Sequence, residues 1–497
     1  MAVLLHSLTP MQSADSKFAA EVQALLDQGY AQRALEVAER WCGKSRHQVG
    51  AWLARASANS RLGRLDAADR NLEVAARLAP KDDRVVFLSG LSDQQLARFD
   101  ASITRLRPLT QRFGPYATEA WMGLVDSLWI AGRHAELAEE VARTGPWKSD
   151  PRHALYAARS IFGTDPARAV SELAKVAQSP VAPIVKRIAG FDAVRLLDRL
   201  GRYREAFDLA QKTHAETGLP FDLDAFLQPV LDEGQRAAAR SSHMQSVPAV
   251  DGLAMFIAVP RSGTTLLEQM LDAHPHISGI GEYNGLRFIG EALQSLGCGG
   301  RSTHHLESQD ALRLQGEYLT DARRRQRAGS KWMVDKNLCA CRFIPELAAV
   351  LPGTRCLHVV RDPRDTAISI LLSYFQPHTD GWTASLHSIR RVLESVDSVL
   401  PDALASHGLE HVTIAYERLV EDPSGEANRC LKMLGLDLAE AVLRPEANPR
   451  GVFTLSHAQV RAPINTSAVG RWQNYAWAFG ADWDSLAARH DARRTAK

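Results

Sequence analysis

Residues 254–265, Ala-Met-Phe-Ile-Ala-Val-Pro-Arg-Ser-Gly-Thr-Thr, constrain the fold of this chain more than any other stretch. The apolar run Ala254–Val259 reads as a buried strand. It stops at Pro260, and a helical pattern begins at Thr264 with Leu266, Leu267, Met270 and Leu271 on one face. A strand that turns sharply into a helix through Gly and hydroxyl residues aims several backbone N–H groups at one spot, where an anion is favoured. The turn is a phosphate cradle without the Lys that precedes the hydroxyl residue in G-x-x-x-x-G-K-[ST]. Here Thr264 follows Gly263 directly, and the fixed cation is Arg261 inside the turn. That steers the reading away from ATP.

From residue 251 onward apolar strands alternate with helices. The strands are Gly252–Val259, Ile277–Ile280, Trp332–Val334, Arg355–Val360 and His411–Ile414. Such alternation predicts a central parallel sheet covered by helices, an α/β domain whose ligands collect at the carboxyl ends of the strands. Polar candidates stand at those ends. Glu282 follows Gly281, and Lys336 follows Asp335. Arg361 closes the strand ending at Val360, with Ser369 two turns into the next helix, where both can meet one anion. Tyr416 ends the last strand, and a late loop, Ile464–Trp472, carries Ser467 and Arg471.

Pro260-Arg261-Ser262-Gly263-Thr264-Thr265 followed by a helix resembles the 5′-phosphosulfate loop of the sulfotransferases. With Leu271-Asp272-Ala273-His274-Pro275 and Gly281-Glu282 it is most similar to the tyrosylprotein-sulfotransferase branch and its bacterial relatives. The resemblance covers about 225 residues at the C-terminal end. It implies a P-loop-like fold and 3′-phosphoadenosine-5′-phosphosulfate (PAPS) as sulfuryl donor, with no metal. It implies that Arg261, Ser262, Gly263, Thr264 and Thr265 hold the 5′-phosphosulfate and that Arg361 and Ser369 bind the 3′-phosphate. It further implies that Tyr416 lies against the nucleotide and that Ser467 and Arg471 come from the loop folding over it. Glu282 matches the general base, and Lys336 matches the residue beside the leaving phosphate. The order Asp335-Lys336-Asn337 departs from the Lys-Asp-Pro of the animal enzymes, and ion pairing of Lys336 with Asp335 or Glu282 is its structural alternative. The acceptor expected from this branch is a protein or peptide tyrosine, and a carbohydrate, lipid or small phenol is not excluded by any residue.

The first half is different. Between residues 18 and 235 the chain is rich in Ala, Leu and Arg with helical periodicity. Trp52, Ala56, Gly63, Ala68, Leu72, Ala75 and Pro80 fall at the positions of a 34-residue tetratricopeptide frame. A glycine recurs before a basic or aromatic residue at Gly29, Gly63, Gly132 and Gly201, with Arg98-Phe99-Asp100 and Gly163-Thr164-Asp165 near the missing midpoints. Residues 1–235 are thus expected to form an all-α tetratricopeptide solenoid, with an irregular helical bundle as the alternative. Residues 236–250 are expected to be a linker, and 251–497 the sulfotransferase-like domain. A solenoid groove suits a protein or peptide partner.

At 497 residues the chain exceeds one ordinary core, so two domains are the default. Its 59 Lys and Arg against 57 Asp and Glu give no global reason to expect nucleic acid. Met1–Leu8 lacks a secretory signal pattern, and no stretch approaches the roughly 20 apolar residues of a membrane span. Six sparse cysteines fit a reducing cytoplasm, and Cys339-Ala340-Cys341 has no second pair to complete a metal site. Arg323-Arg324-Arg325 with Arg327 reads as a solvated basic helix end, and Arg364 with Asp365 as a pair at a helix start. The segment holding His378 and Trp382 reads as an acceptor-side loop. Two other classes stay open: a P-loop kinase-like enzyme, and a repeat scaffold beside an inactive catalytic fold.

Overall fold

The computed structural model describes residues 15–237, 247–337, 340–448, 450 and 463–495. The chain divides into two compact units, Met1–Glu172 and Leu173–Lys497.

Helices fill the first unit, each packed on the next in sequence: Asp15–Asp27, Ala31–Lys44, Val49–Arg61, Leu65–Leu78, Asp83–Gln95, Phe99–Gln111, Ala117–Ile130, His134–Ala142 and His153–Ser160. Helical spacing of apolar residues dictates the buried faces. Ala31–Lys44, for example, buries Ala34, Leu35, Val37, Ala38, Trp41 and Cys42. A common turn joins helices at 34- to 35-residue intervals. Gly29, Gly63 and Gly132 sit in left-handed backbone at φ 83°, 74° and 74°. The following residue then donates its N–H back across the turn: Tyr30 to Leu25 O at 2.8 Å, Arg64 to Asn59 O at 2.9 Å and Arg133 to Leu128 O at 2.9 Å. These are Schellman-type C-caps. At the first missing midpoint Ala97 adopts the same conformation (φ 60°), and Arg98 N reaches Asp93 O at 2.7 Å. An L side chain there costs about 1–2 kcal/mol. At the other midpoint Asp165 N instead bonds Ile161 O at 2.8 Å, a shorter closure. The unit is all-helical and consistent with a repeat.

Five parallel strands organise the second unit: β1 Leu253–Ile257, β2 Ile277–Gly281, β3 Trp332–Asp335, β4 Arg355–Val360 and β5 His411–Ala415. Their order is β2-β3-β1-β4-β5, and every pairing is parallel. All five strands expected from the sequence form, within a residue or two at each end. β1 is buried along its whole length because both faces are covered. Ala254, Phe256 and Ala258 pack with Leu267, Met270 and Leu271 of the helix Thr264–Asp272 and with Cys430 and Leu431 of the helix Pro423–Met433. Leu253, Met255 and Ile257 point the other way, into a core with Leu286, Leu314, Leu347, Ile368 and Val396. Burying each large apolar side chain contributes about 1.5–3 kcal/mol. Helices Tyr203–Thr217 and Leu223–Ala237 add Phe207, Leu227 and Val230 to that second core.

The expected linker 236–250 lies outside the described residues over 238–246; beyond it Val247 and Val250 are buried, and Val250 N donates to Pro352 O. Residues 1–8 and Cys339 also fall outside the described residues. Among the described residues no helix is long and apolar enough to cross a membrane, and no group of three or more His, Cys, Asp or Glu is placed to hold a metal ion.

Candidate active site

In a parallel sheet all strand ends of one kind share one edge. Along the carboxyl edge the strand order therefore sets Glu282 (after β2), Lys336 (after β3), the 260–265 turn (after β1), Arg361 (after β4) and Tyr416 (after β5) side by side. Neighbouring strands are about 4.8 Å apart, so the turn has Lys336 as its neighbour on one side and Arg361 on the other.

The turn is built under strain. Arg261 is a non-glycine residue at φ 69°, and Gly263 has φ 103°. Ser262 is buried and its Oγ donates to Val259 O at 2.9 Å, closing the bend. Gly263 is required twice, for its backbone angle and because an added Cβ would stand 2.3 Å from the ring of Tyr416. Thr264 and Thr265, both buried, open the helix, whose first N–H groups have no intrahelical acceptors.

Arginines converge on the turn. Arg261 Nε donates to Ser369 Oγ at 2.8 Å, which joins two residues singled out separately in the sequence. Arg361 Nη1 donates to Arg261 O at 3.1 Å, its Nη2 donates to Ala468 O, and its guanidinium lies 4.9 Å from the Tyr416 ring centre. Burial, with Arg361 and Arg471 nearby, pushes the Arg261 pKa down to about 10. Like charges crowded in a shielded pocket favour an anion.

Arg471 and Ser467 sit differently. Arg471 Nη2 is held by both oxygens of Asp198, at 2.8 and 2.6 Å, and Tyr475 donates its hydroxyl to the same carboxylate at 2.6 Å. Ser467 is exposed, with its N–H bonded to Asn465 Oδ1 at 3.1 Å. The late loop is cinched by Asp365, which is fully buried and accepts from Gly470 N and Trp472 N at 2.7 Å each. Arg364 accordingly pairs with Asp362 (2.8 Å) rather than Asp365, and its guanidinium lies 3.8 Å from the Trp472 ring centre.

On the other flank Lys336 Nζ donates to Glu282 Oε1 at 2.8 Å. The lysine is 1% exposed, whereas the Glu282 side chain is 44% exposed. The pair joins a buried cation to a carboxylate that solvent, or an acceptor, can reach. Behind it Glu268, 1% exposed, lies 3.7 Å from Lys336 Nζ and accepts from Gly281 N at 3.1 Å and from Arg450 Nη2 at 2.9 Å. Asp335 is fully buried and accepts the Tyr318 hydroxyl at 2.6 Å; burial pushes its pKa up to about 7. It turns away from Lys336, so the lysine's partner is Glu282.

The sequence does not single out Glu268, Arg450 or Asp198, and it reads Asp365 only as a partner of Arg364. Thr264, Glu268 and Asp272 recur every fourth residue, a polar stripe beside the apolar Leu267, Met270 and Leu271 that is the available signal. The other three reach the site only through tertiary packing. Two background readings change as well. Arg327 tethers β2, donating N–H to Ser278 Oγ at 2.9 Å and Nη2 to His274 O at 2.9 Å, so it is not a purely solvated residue. Trp382 is a core residue stacked near Phe226, with ring centres 6.0 Å apart.

Residues 255–440 match the model of the sulfotransferase family. Over 275 residues, 49% of this chain and 73% of the other, the sequence is 26% identical to Protein-tyrosine sulfotransferase 1 of Danio rerio. Over 245 residues it is 26% identical to Protein-tyrosine sulfotransferase of Drosophila melanogaster, covering 43% of this chain and 45% of that one. Among solved structures, the sulfotransferase domain from the curacin biosynthetic pathway aligns with 49% of this chain and 99% of its own, at 18% identity and a TM-score of 0.36. The C-terminal half of the chain carries a sulfotransferase family domain, and the protein is a sulfotransferase enzyme. That family implies PAPS as the donor.

Proposed function

We propose that this enzyme transfers a sulfuryl group from PAPS to the hydroxyl of a protein or peptide tyrosine. The observation that carries the reading is the Glu282–Lys336 pair (2.8 Å) one strand away from the arginine-bearing turn. The cradle suits a doubly phosphorylated nucleotide. Its cations are crowded, Arg361 Nε is buried with no hydrogen-bond partner among the described residues, and the space beside Gly263 is closed to any side chain by Tyr416.

PAPS, when bound, supplies the sulfuryl group and leaves as adenosine 3′,5′-bisphosphate. Arg261 and the amides of the turn hold the phosphosulfate end, while Arg361, Ser369 and Tyr416 hold the nucleotide end. Ser467 and Arg471 belong to the loop that covers it. Glu282 accepts the proton of the acceptor hydroxyl, as a general base within hydrogen-bond reach. Once Glu282 is neutral it holds Lys336 less strongly, and the ammonium is released to offset charge on the leaving phosphate. Positioning and charge stabilisation then carry most of the catalysis, as in phosphoryl transfer.

The tyrosine acceptor is supported by the similarity to the two animal protein-tyrosine sulfotransferases. The helical half is read as a tetratricopeptide solenoid, from the recurring turn and its 34-residue frame, and its groove as the site that presents a peptide. A cytoplasmic setting is read from the sparse cysteines, of which five are free among the described residues. Calorimetry with adenosine 3′,5′-bisphosphate and with ATP tests the pocket, and ³⁵S-labelled PAPS with a tyrosine peptide array tests the acceptor. Preference for ATP, or label entering only carbohydrate or lipid, would refute the respective half of the reading.

A further inference from the structure

β2 is one of the two edge strands of the sheet, and an edge strand presents unpaired backbone groups. Here the neighbouring helix supplies the missing partners. Asp272 Oδ1 accepts from Gly279 N at 2.7 Å, and Glu268 Oε1 accepts from Gly281 N at 3.1 Å. The pairing register between β2 and β3 slips between Gly279 and Gly281, and Gly281 has φ 76°. The backbone that aims Glu282 is thus an irregular turn, held at its outer side by one buried carboxylate. Its inner side is held by Lys336 N to Gly281 O at 3.0 Å and by Asn337 Nδ2 to Tyr283 O at 3.0 Å.

The same carboxylate faces the lysine. Glu268 Oε2 stands 3.7 Å from Lys336 Nζ, and Glu268 Oε1 also takes Arg450 Nη2 at 2.9 Å. Four charges alternate from contact to contact, Arg450, Glu268, Lys336 and Glu282, with the two buried groups in the middle and the more exposed arginine and Glu282 at the ends. Burial would push Glu268 toward its neutral form, but Arg450 and Lys336 outweigh this and hold its pKa below the usual range, which favours the charged carboxylate. Side chains at Gly279 and Gly281 would break the arrangement. A Cβ at Gly279 would stand 2.4 Å from Arg450 Nη1 and 3.1 Å from Glu268 Oε1.

We propose that Glu268 is a positioning residue for sulfuryl transfer, presetting the Gly281–Glu282 turn and keeping Lys336 poised between two carboxylates. The inference rests on the sulfuryl-transfer reading. With the Glu268 charge present, the buried ammonium keeps a counter-ion when Glu282 takes a proton and lets go. Without it, Lys336 is left with Glu282 alone and binds it more tightly, and the base and the lysine immobilise each other.

The test is a double-mutant cycle on the full chain, with kcat read from transfer of ³⁵S from PAPS to a tyrosine peptide and, in parallel, to p-nitrophenol. Glu268→Gln keeps an acceptor for Gly281 N–H but removes the charge. It is expected to lower kcat about 10- to 100-fold, the order expected for a misplaced reacting group. Affinity for adenosine 3′,5′-bisphosphate is expected to stay within about twofold, because the nucleotide ligands are untouched. In a Lys336→Ala background the same change is expected to cost less than about threefold, since the group it positions is gone. A merely structural role would lower nucleotide affinity or cost the same in both backgrounds, and either result overturns the proposal, as does unchanged kcat. Should Glu268→Gln fail to fold, Glu268→Asp draws the charge back by one methylene and is read the same way. Amide hydrogen exchange needs no acceptor: Gly281 N–H should lose protection in Glu268→Ala and keep it in Glu268→Gln, and equal protection in both would count against the proposal. A wild type that binds adenosine 3′,5′-bisphosphate but labels neither acceptor sinks the acceptor reading, one that does not bind it sinks the donor reading, and the exchange result stands apart from both.

Discussion

Replacing Gly263 with Ala is the sharpest probe of the cradle. The new Cβ would lie 2.3 Å from Cδ2 of Tyr416 and 3.1 Å from Cε2, so either the ring or the turn must move. Such overpacking costs about 1–3 kcal/mol. The backbone at φ 103° adds about 1–2 kcal/mol for any residue with a Cβ. The two contributions sum to about 2–5 kcal/mol. Because the turn and Tyr416 both line the proposed nucleotide side of the site, the cost is expected in two places: a lower midpoint of thermal unfolding, and weaker binding of adenosine 3′,5′-bisphosphate by calorimetry. A second change separates the contributions. In Gly263→Ala with Tyr416→Ala the steric part disappears and the backbone part of about 1–2 kcal/mol remains, when measured against Tyr416→Ala alone. If Gly263→Ala unfolds and binds nucleotide like the wild type, the close approach of ring and turn is wrong, and with it the cradle as described.

Further outcomes follow from the same geometry. Glu282→Ala should lose about 10²–10⁴ in transfer rate while nucleotide affinity holds; near-normal turnover would remove Glu282 from the chemistry. Arg361→Ala should weaken adenosine 3′,5′-bisphosphate binding by about 1.5–3 kcal/mol, the worth of a charged hydrogen bond, and unchanged calorimetric affinity would contradict its place in the pocket. Asp335 gives a pH signature. Its folded pKa of about 7 stands above the ordinary carboxylate value of 3.8, so between those pH values the native state binds the proton that the unfolded chain has released. Stability should therefore fall as pH rises through that window, at up to about 1.4 kcal/mol per unit. Asp335→Asn should flatten the dependence, and unfolding midpoints that run parallel for both proteins from pH 4 to 7 would show that burial of Asp335 does not govern it.

Much of this was legible before any coordinates. The five strands could be read because each is a short apolar run ending in a polar strand-end residue or a turn, and in a parallel sheet such ends meet at one edge. Glu282, Lys336, the turn and Arg361 could be found by their position after those runs. The supporting carboxylates could not. Glu268 looks like any helix glutamate until β2 is known to be the edge strand that needs its oxygen. Asp365, two residues inside a helix, looks like a partner for Arg364 beside it. Only the fold shows that Asp362, as the helix cap, has already taken that arginine, bonding Arg364 N at 2.8 Å. Asp198 is more than 250 residues from Arg471 in sequence, and no local pattern links them. In the helical half the recurring turn is visible through its glycines. Ala97 is harder to find, because it takes the same left-handed angle without being a glycine.

The Asp198 carboxylate has a bearing on how this protein can be dissected. It comes from the helix Pro183–Arg199, yet it grips Arg471 and Tyr475 near the far end of the chain. Tyr203 and Phe207 flank the same tyrosine, with ring centres 5.4 and 6.4 Å away. A fragment trimmed to the sheet and its own helices would leave Tyr475, which is wholly buried, open to water, and the flap it anchors would have nothing to close on. The helices just before the sheet are thus part of what holds this end of the chain in place, and shortening the chain from its front end should loosen Arg471 and Tyr475 well before the first strand is reached.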